Sequence, residues 1–179
     1  MAKTYEILKH LPATGPMYVT VNDGRSYDPD YSEGFVVKFF KSNGHEWVAN
    51  FKTGIKKFNT VIELSESKLL VIAGGAGYIM NPEQETPLSV LESNYNGALP
   101  SSKGQIIMYD DMQLTILEKN SSVWISEYIA LEGFQNLSLE NNILKGLYSE
   151  YVYSHDEPDW LEFALDIDTK KITGLKTAP

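Results

Sequence analysis

No cysteine occurs anywhere in the 179 residues. That excludes disulfides, thiol nucleophiles and thiolate metal sites, and it suits a reducing cytosol. Histidine is nearly as scarce. His10, His45 and His155 lie in separate segments without metal-ligand spacing, so a closed transition-metal centre lacks donors. No apolar run approaches the roughly 18 residues of a membrane span. The start, Met1-Ala-Lys-Thr-Tyr-Glu-Ile-Leu-Lys-His10, lacks the apolar core of a secretion signal. Basic residues are also short, 15 Lys and Arg against 24 Asp and Glu, for a net charge of −9. Such a surface repels nucleic-acid phosphates and speeds encounter with a basic partner. Neither a Gly-x-Ser-x-Gly nucleophile elbow nor a lysine-bearing phosphate loop is present. The expectation is a soluble cytoplasmic protein with no cofactor and no metal, and with neither membrane nor nucleic acid as partner.

What is present suffices for a core. Hydrophobic residues make up 42% and aromatics 12%, which argues for one folded all-β domain over residues 1–179 rather than disorder. The longest apolar stretch, Lys68-Leu-Leu-Val-Ile-Ala-Gly-Gly-Ala-Gly-Tyr-Ile-Met80, organises the chain. Leu69 to Ala73 has the length of a strand buried on both faces. Gly74 and Gly75 tolerate positive φ, and Tyr78-Ile-Met80 resumes a β-prone series. The same glycines resemble the phosphate-binding turn of nucleotide-sugar epimerases. Met80, however, stands where the third glycine belongs, and Pro82 and Pro87 interrupt the would-be helix. A hairpin is the better reading.

Short alternating segments fill the rest. Met17–Val21, Phe35–Phe40, Glu46–Phe51, Phe58–Leu64, Gln105–Tyr109, Gln113–Leu117, Val123–Tyr128, Leu137–Leu139, Ile143–Tyr148, Tyr151–Tyr153 and Trp160–Ile167 all read as strands. Turn residues separate them, among them Lys41-Ser-Asn-Gly44, Asp110-Asp111, Glu140-Asn-Asn142 and Asp168-Thr-Lys-Lys171. Residues 81–103, rich in Pro, Asn, Ser and Gly, read as a long loop. The predicted fold is all-β, antiparallel sheets of about a dozen short strands in a sandwich or a partial propeller-like arrangement.

Trp47-Val-Ala-Asn-Phe51, Trp124-Ile-Ser-Glu-Tyr128 and Trp160-Leu-Glu-Phe163 begin alike. The first two continue alike, through Phe58 or Phe134, then Val61/Leu64 or Leu137/Leu139, then a turn, then Leu69-Leu70 or Ile143-Leu144. The pattern resembles blades of β-propellers, and also small bacterial all-β proteins that include toxin-neutralising immunity proteins. About a dozen strands would be too few for four four-stranded blades. The resemblance implies a stacked-sheet architecture and a protein partner, and it carries no functional residues.

One acidic motif fails on spacing, and a second has a competing backbone explanation. Counted from Asp28, the sixth and twelfth positions of a calcium loop would hold Glu33 and Phe39 instead of glycine and glutamate. Asp110-Asp111, Asp156-Glu157-Asp159 and Asp166/Asp168 offer carboxylate pairs of the kind glycosidases use, although turns favour aspartate for backbone reasons. The strongest candidate site is Tyr148, Tyr151, Tyr153, Asp156, Glu157, Asp159 and Trp160, where aromatic anchors stand among acids. Tyr95, the sole large anchor of residues 94–103, joins them as a weaker candidate. The pattern points to a binding protein, an immunity-type inhibitor of a basic partner. A carbohydrate- or small-ligand-binding protein, glycoside-active if a carboxylate pair closes over a groove, is the alternative. A structural subunit is the third reading.

Overall fold

The computed structural model describes residues 3–15, 17–22, 32–65, 67–150 and 159–176. Every regular element among them is a strand. Sixteen strands form four four-stranded sheets, and none of these sheets closes on itself. The chain divides into two compact units, Met1–Tyr95 and Asn96–Pro179.

The first unit holds β1 (Tyr5–Leu8), β2 (Val19–Val21), β3 (Phe35–Phe40) and β4 (Glu46–Phe51) in the order β1-β3-β4-β2. β2 runs parallel to β4, and the other pairings are antiparallel. Its second sheet is a meander of β5 (Thr60–Ser65), β6 (Lys68–Ala73), β7 (Ala76–Met80) and β8 (Ser89–Asn94). Strand alternation aims Val37, Phe39, Trp47, Ala49 and Phe51 from one sheet, and Leu69, Val71, Tyr78 and Met80 from the other, into one core. Aromatic rings carry that core. Phe39 and Trp47 have centroids 4.8 Å apart, and Phe51 and Tyr78 are 5.1 Å apart. Leu70, Ile72 and Ile79, on the opposite face of β6 and β7, are buried as well, as an unbroken apolar run requires.

The β6–β7 turn settles the glycine motif. Gly74 (φ 54°) and Gly75 (φ 86°) form a two-residue loop closing the Ala73–Ala76 pair, the geometry that matches strand twist. Their amides are already donated, Gly74 N–H to Asn59 Oδ1 and Gly75 N–H to the Phe58 carbonyl. Those amides therefore have no free hydrogens to cradle a pyrophosphate.

The second unit holds β9 (Gly97–Pro100), β10 (Ile106–Tyr109), β11 (Leu114–Leu117) and β12 (Val123–Ile125), then β13 (Phe134–Glu140), β14 (Ile143–Glu150), β15 (Asp159–Asp166) and β16 (Lys171–Thr173). Both of its sheets are antiparallel meanders in chain order. They share a core of Ile107, Leu114, Ile116, Leu144, Tyr148, Phe163, Leu165 and Ile167. A bulge between Gln135 and Ser138, with Asn136 at φ 51°, lets both Phe134 and Leu137 pack inward. Gly146 lies beneath that bulge, where an added Cβ would come within 2.5 Å of Leu137 Cδ2.

Two expectations need correction. Residues 81–103 are not one long loop, because β8 pairs with β7 and β9 with β10 inside that stretch. Both are edge strands, where serine, asparagine and even Pro100 cost little pairing. With these and other short strands counted, the described residues alone hold sixteen, so the shortage of strands for four four-stranded sheets disappears. The tryptophan repeat also finds a structural basis. Trp47 and Trp124 lie on the last strands, in chain order, of their sheets, and each leads into the first two strands of the next sheet. Trp160, on β15, is out of step with both.

Candidate functional site

The described part of the acidic-aromatic stretch lies at the end of β14 and the start of β15, where the chain passes from one strand to the other. Tyr148 shares the inward face with Leu144, two turns of the pleat away. It is buried in the core, edge-on to Phe163 at 6.3 Å, and its hydroxyl accepts the Lys176 N–H at 3.1 Å. Tyr95 is buried too, with its ring against Gly77. These two aromatics are packing residues, not surface anchors. Asp159 is exposed and Trp160 half-buried where β15 begins. Tyr151, Tyr153, Asp156 and Glu157 lie outside the described residues.

Register places Glu150 directly opposite Asp159 and Ser149 opposite Trp160. Ser149 is fully buried because its hydroxyl accepts backbone N–H groups from Leu131 (3.2 Å) and Glu132, fastening the approach to β13. Lys176 Nζ meets Glu150 Oε2 at 2.5 Å. The hydrogen bond it donates to Glu150, and then the charges of Glu150 and Asp159, hold the Lys176 ammonium above its ordinary pKa. The described part of the site is thus an acidic hairpin mouth with one lysine drawn into it.

Beside it, a groove of about 750 Å³ crosses the sheet from the Asn136 bulge to Thr173 and Gly174. Lys145, Leu147, Glu162 and Ala164 belong to its lining. Pairing sets Lys145 against Ala164 and Leu147 against Glu162, so the two charges are diagonal neighbours on one face. Sequence reasoning missed this groove. The bulge that shapes it depends on one asparagine in a left-handed conformation, which a strand-like pattern conceals.

Two of the three carboxylate groupings proposed for acid–base chemistry, Asp110/Asp111 and Asp166/Asp168, are engaged in structural bonds, and Asp156 and Glu157 of the third lie outside the described residues. Asp110 Oδ1 accepts the Met112 and Gln113 amides at 2.8 and 2.7 Å, and Asp111 Oδ1 accepts from Asn96 Nδ2 at 2.7 Å. Asp166 Oδ1 accepts the Asp168 and Thr169 amides at 2.9 and 3.0 Å, closing the β15–β16 turn. Asp168 bonds Lys103 and Asn142, and those two bonds lower its pKa. His10 bonds exposed Glu33 at 2.9 Å, and Glu33 also accepts the Leu11 amide, the larger cause of its own lowered pKa. Among the described residues no three His, Asp or Glu side chains gather as a metal site. No described helix is long and apolar enough to cross a membrane.

Charge is divided unevenly between the units. Asn96–Pro179 carries thirteen acidic and six basic residues, against eleven and nine in Met1–Tyr95. Three of the six bases are already paired, as Lys103–Asp168, Lys170–Glu118 and Lys176–Glu150. No family model matches the chain, and no curated protein matches it.

Proposed function

We propose that the chain is a binding protein whose acidic second unit captures a basic partner protein, as an immunity-type inhibitor does. The observation that carries this reading is the charge division. Seven of the nine net negative charges fall in residues 96–179, and the described acids Glu150 and Asp159 converge at one hairpin mouth. A one-signed surface of this kind raises association rates with an oppositely charged protein and suppresses wrong partners. Co-expression with the products of the adjacent reading frames tests it. The expected outcome is a 1:1 complex with a basic protein, relief of that protein's toxicity, and affinity that falls steeply as salt rises. A neutral or acidic partner, or binding indifferent to salt, would refute it.

The groove across β13–β16 supports a second reading, a small polar ligand held between Lys145 and Glu162. Its volume lies within the range of about 300–1,000 Å³ typical of ligand pockets. The carbohydrate version gains little from its lining, because the one aromatic there, Phe163, turns its ring into the core.

A further inference from the structure

β12 is an edge strand, hydrogen-bonded among the described residues to β11 alone. Edge strands usually carry a charge, a proline or a bulge that discourages further pairing. Here β1 has Glu6, β5 Glu63, β8 Glu92, β9 Pro100, β13 Glu140 with its bulge, and β16 Lys171. Two edge strands have neither charge nor proline, β2 (Val19-Thr-Val21) and β12 (Val123-Trp-Ile125); the β2 side chains are buried or half-buried, whereas β12 exposes two of its three. Trp124 faces the core, while Val123 and Ile125 stand 41% and 52% exposed on the other face. On that face their cross-strand neighbours Leu117 and Thr115 are buried, so the exposed apolar surface of this sheet face is confined to the edge strand itself.

The exposed apolar surface continues past the strand. Tyr128 is 73% and Leu131 59% exposed, and the Met112 carbonyl, which accepts the Ile129 and Ala130 amides, brings a further exposed apolar side chain alongside. Exposed acids border this surface at Asp111, Glu127 and Glu132, against one exposed base, Lys119. A second copy of so acidic a unit would meet repulsion there. An extended segment of a basic protein would meet complementary charge, an apolar strip and a row of unpaired backbone groups.

We infer that the free edge of β12 is the docking site, and that its occupant is an extended strand of a basic partner, apolar on one face and lysine- or arginine-rich on the other. This rests on the reading of a basic partner, and it adds both where that partner binds and in what conformation.

The probe is a blocked heptapeptide of alternating lysine and valine, titrated at low salt and followed by backbone amide shifts. The expected result is shifts centred on Val123–Ile125. Ile125→Lys should weaken binding at least about tenfold, and a proline in place of the central valine should do the same by removing a ladder donor. Ile7→Lys, an equal charge change at an exposed position on another edge strand, should alter affinity less than about twofold. Equal losses in Ile125→Lys and Ile7→Lys would overturn the edge site while leaving the basic-partner reading intact. Undiminished binding of the proline peptide to the wild-type protein would overturn strand pairing without any variant having to fold. A wild-type dimer dissolved by Ile125→Lys would overturn the assignment in favour of a second copy. Failure of the heptapeptide to bind would also overturn it, with the co-expression result then deciding the basic-partner reading separately.

Discussion

Asp168 shows how individual acids are used in this surface. Its carboxylate holds Lys103 and Asn142 together across the ends of their strands, and the bond from Lys103 is the largest cause of its lowered pKa. A carboxyl group lowered in the folded state adds stability above its unfolded pKa of about 3.9, and that contribution fades as pH falls through the folded value. Lys103→Ala should therefore move the Asp168 titration midpoint upward, read from carboxyl carbon shifts, and should shrink the acid-labile part of the stability. An unmoved midpoint would assign the shift to Asn142. Because the pair is exposed, any change in stability at neutral pH should be small.

Among the elements, the β6–β7 hairpin is the most constrained. Gly74 sits at φ 54°, and a Cβ there would come within 2.8 Å of the Gly54 nitrogen and 2.7 Å of Thr53 Cβ. Gly74→Ala should destabilise the protein by about 1–3 kcal/mol, measured by urea unfolding, whereas alanine at exposed, open Gly44 should cost less, through its positive φ alone. This hairpin was legible from sequence because turn chemistry and a two-sided apolar run agree. Asn141 and Asn142, both at positive φ, were legible for the same reason. β8 and β9 were not, since edge strands are defined by what their backbones pair with and their side chains resemble those of loops. Tyr148 was misread by composition, although its spacing from Leu144 placed it on the inward face. The exposed strip of Val123 and Ile125 was readable only as alternation. Which of the two faces lay open depended on tertiary packing.

For the whole molecule, the uneven charge makes the two units electrostatically different, although each is built from two four-stranded sheets. Reversing Asp159 and Glu162 to lysine would move the second unit's net charge from −7 to −3. Association with a basic polypeptide should slow several-fold at low salt, and the difference should vanish near 1 M salt, where the screening length falls to about 3 Å. Two reversals in the first unit, at half-buried Glu6 and exposed Glu63, should slow it less. Stopped-flow association across a salt series would separate the two cases. The order β1-β3-β4-β2 has a different consequence. Three sheets can zip up as the chain is read, each strand finding the neighbour just formed. β1 has no partner until β3 exists and β2 none until β4, and both pairings close far larger loops than a hairpin does. Tyr5–Leu8 and Val19–Val21 are therefore the pieces of this fold that a growing chain must leave waiting.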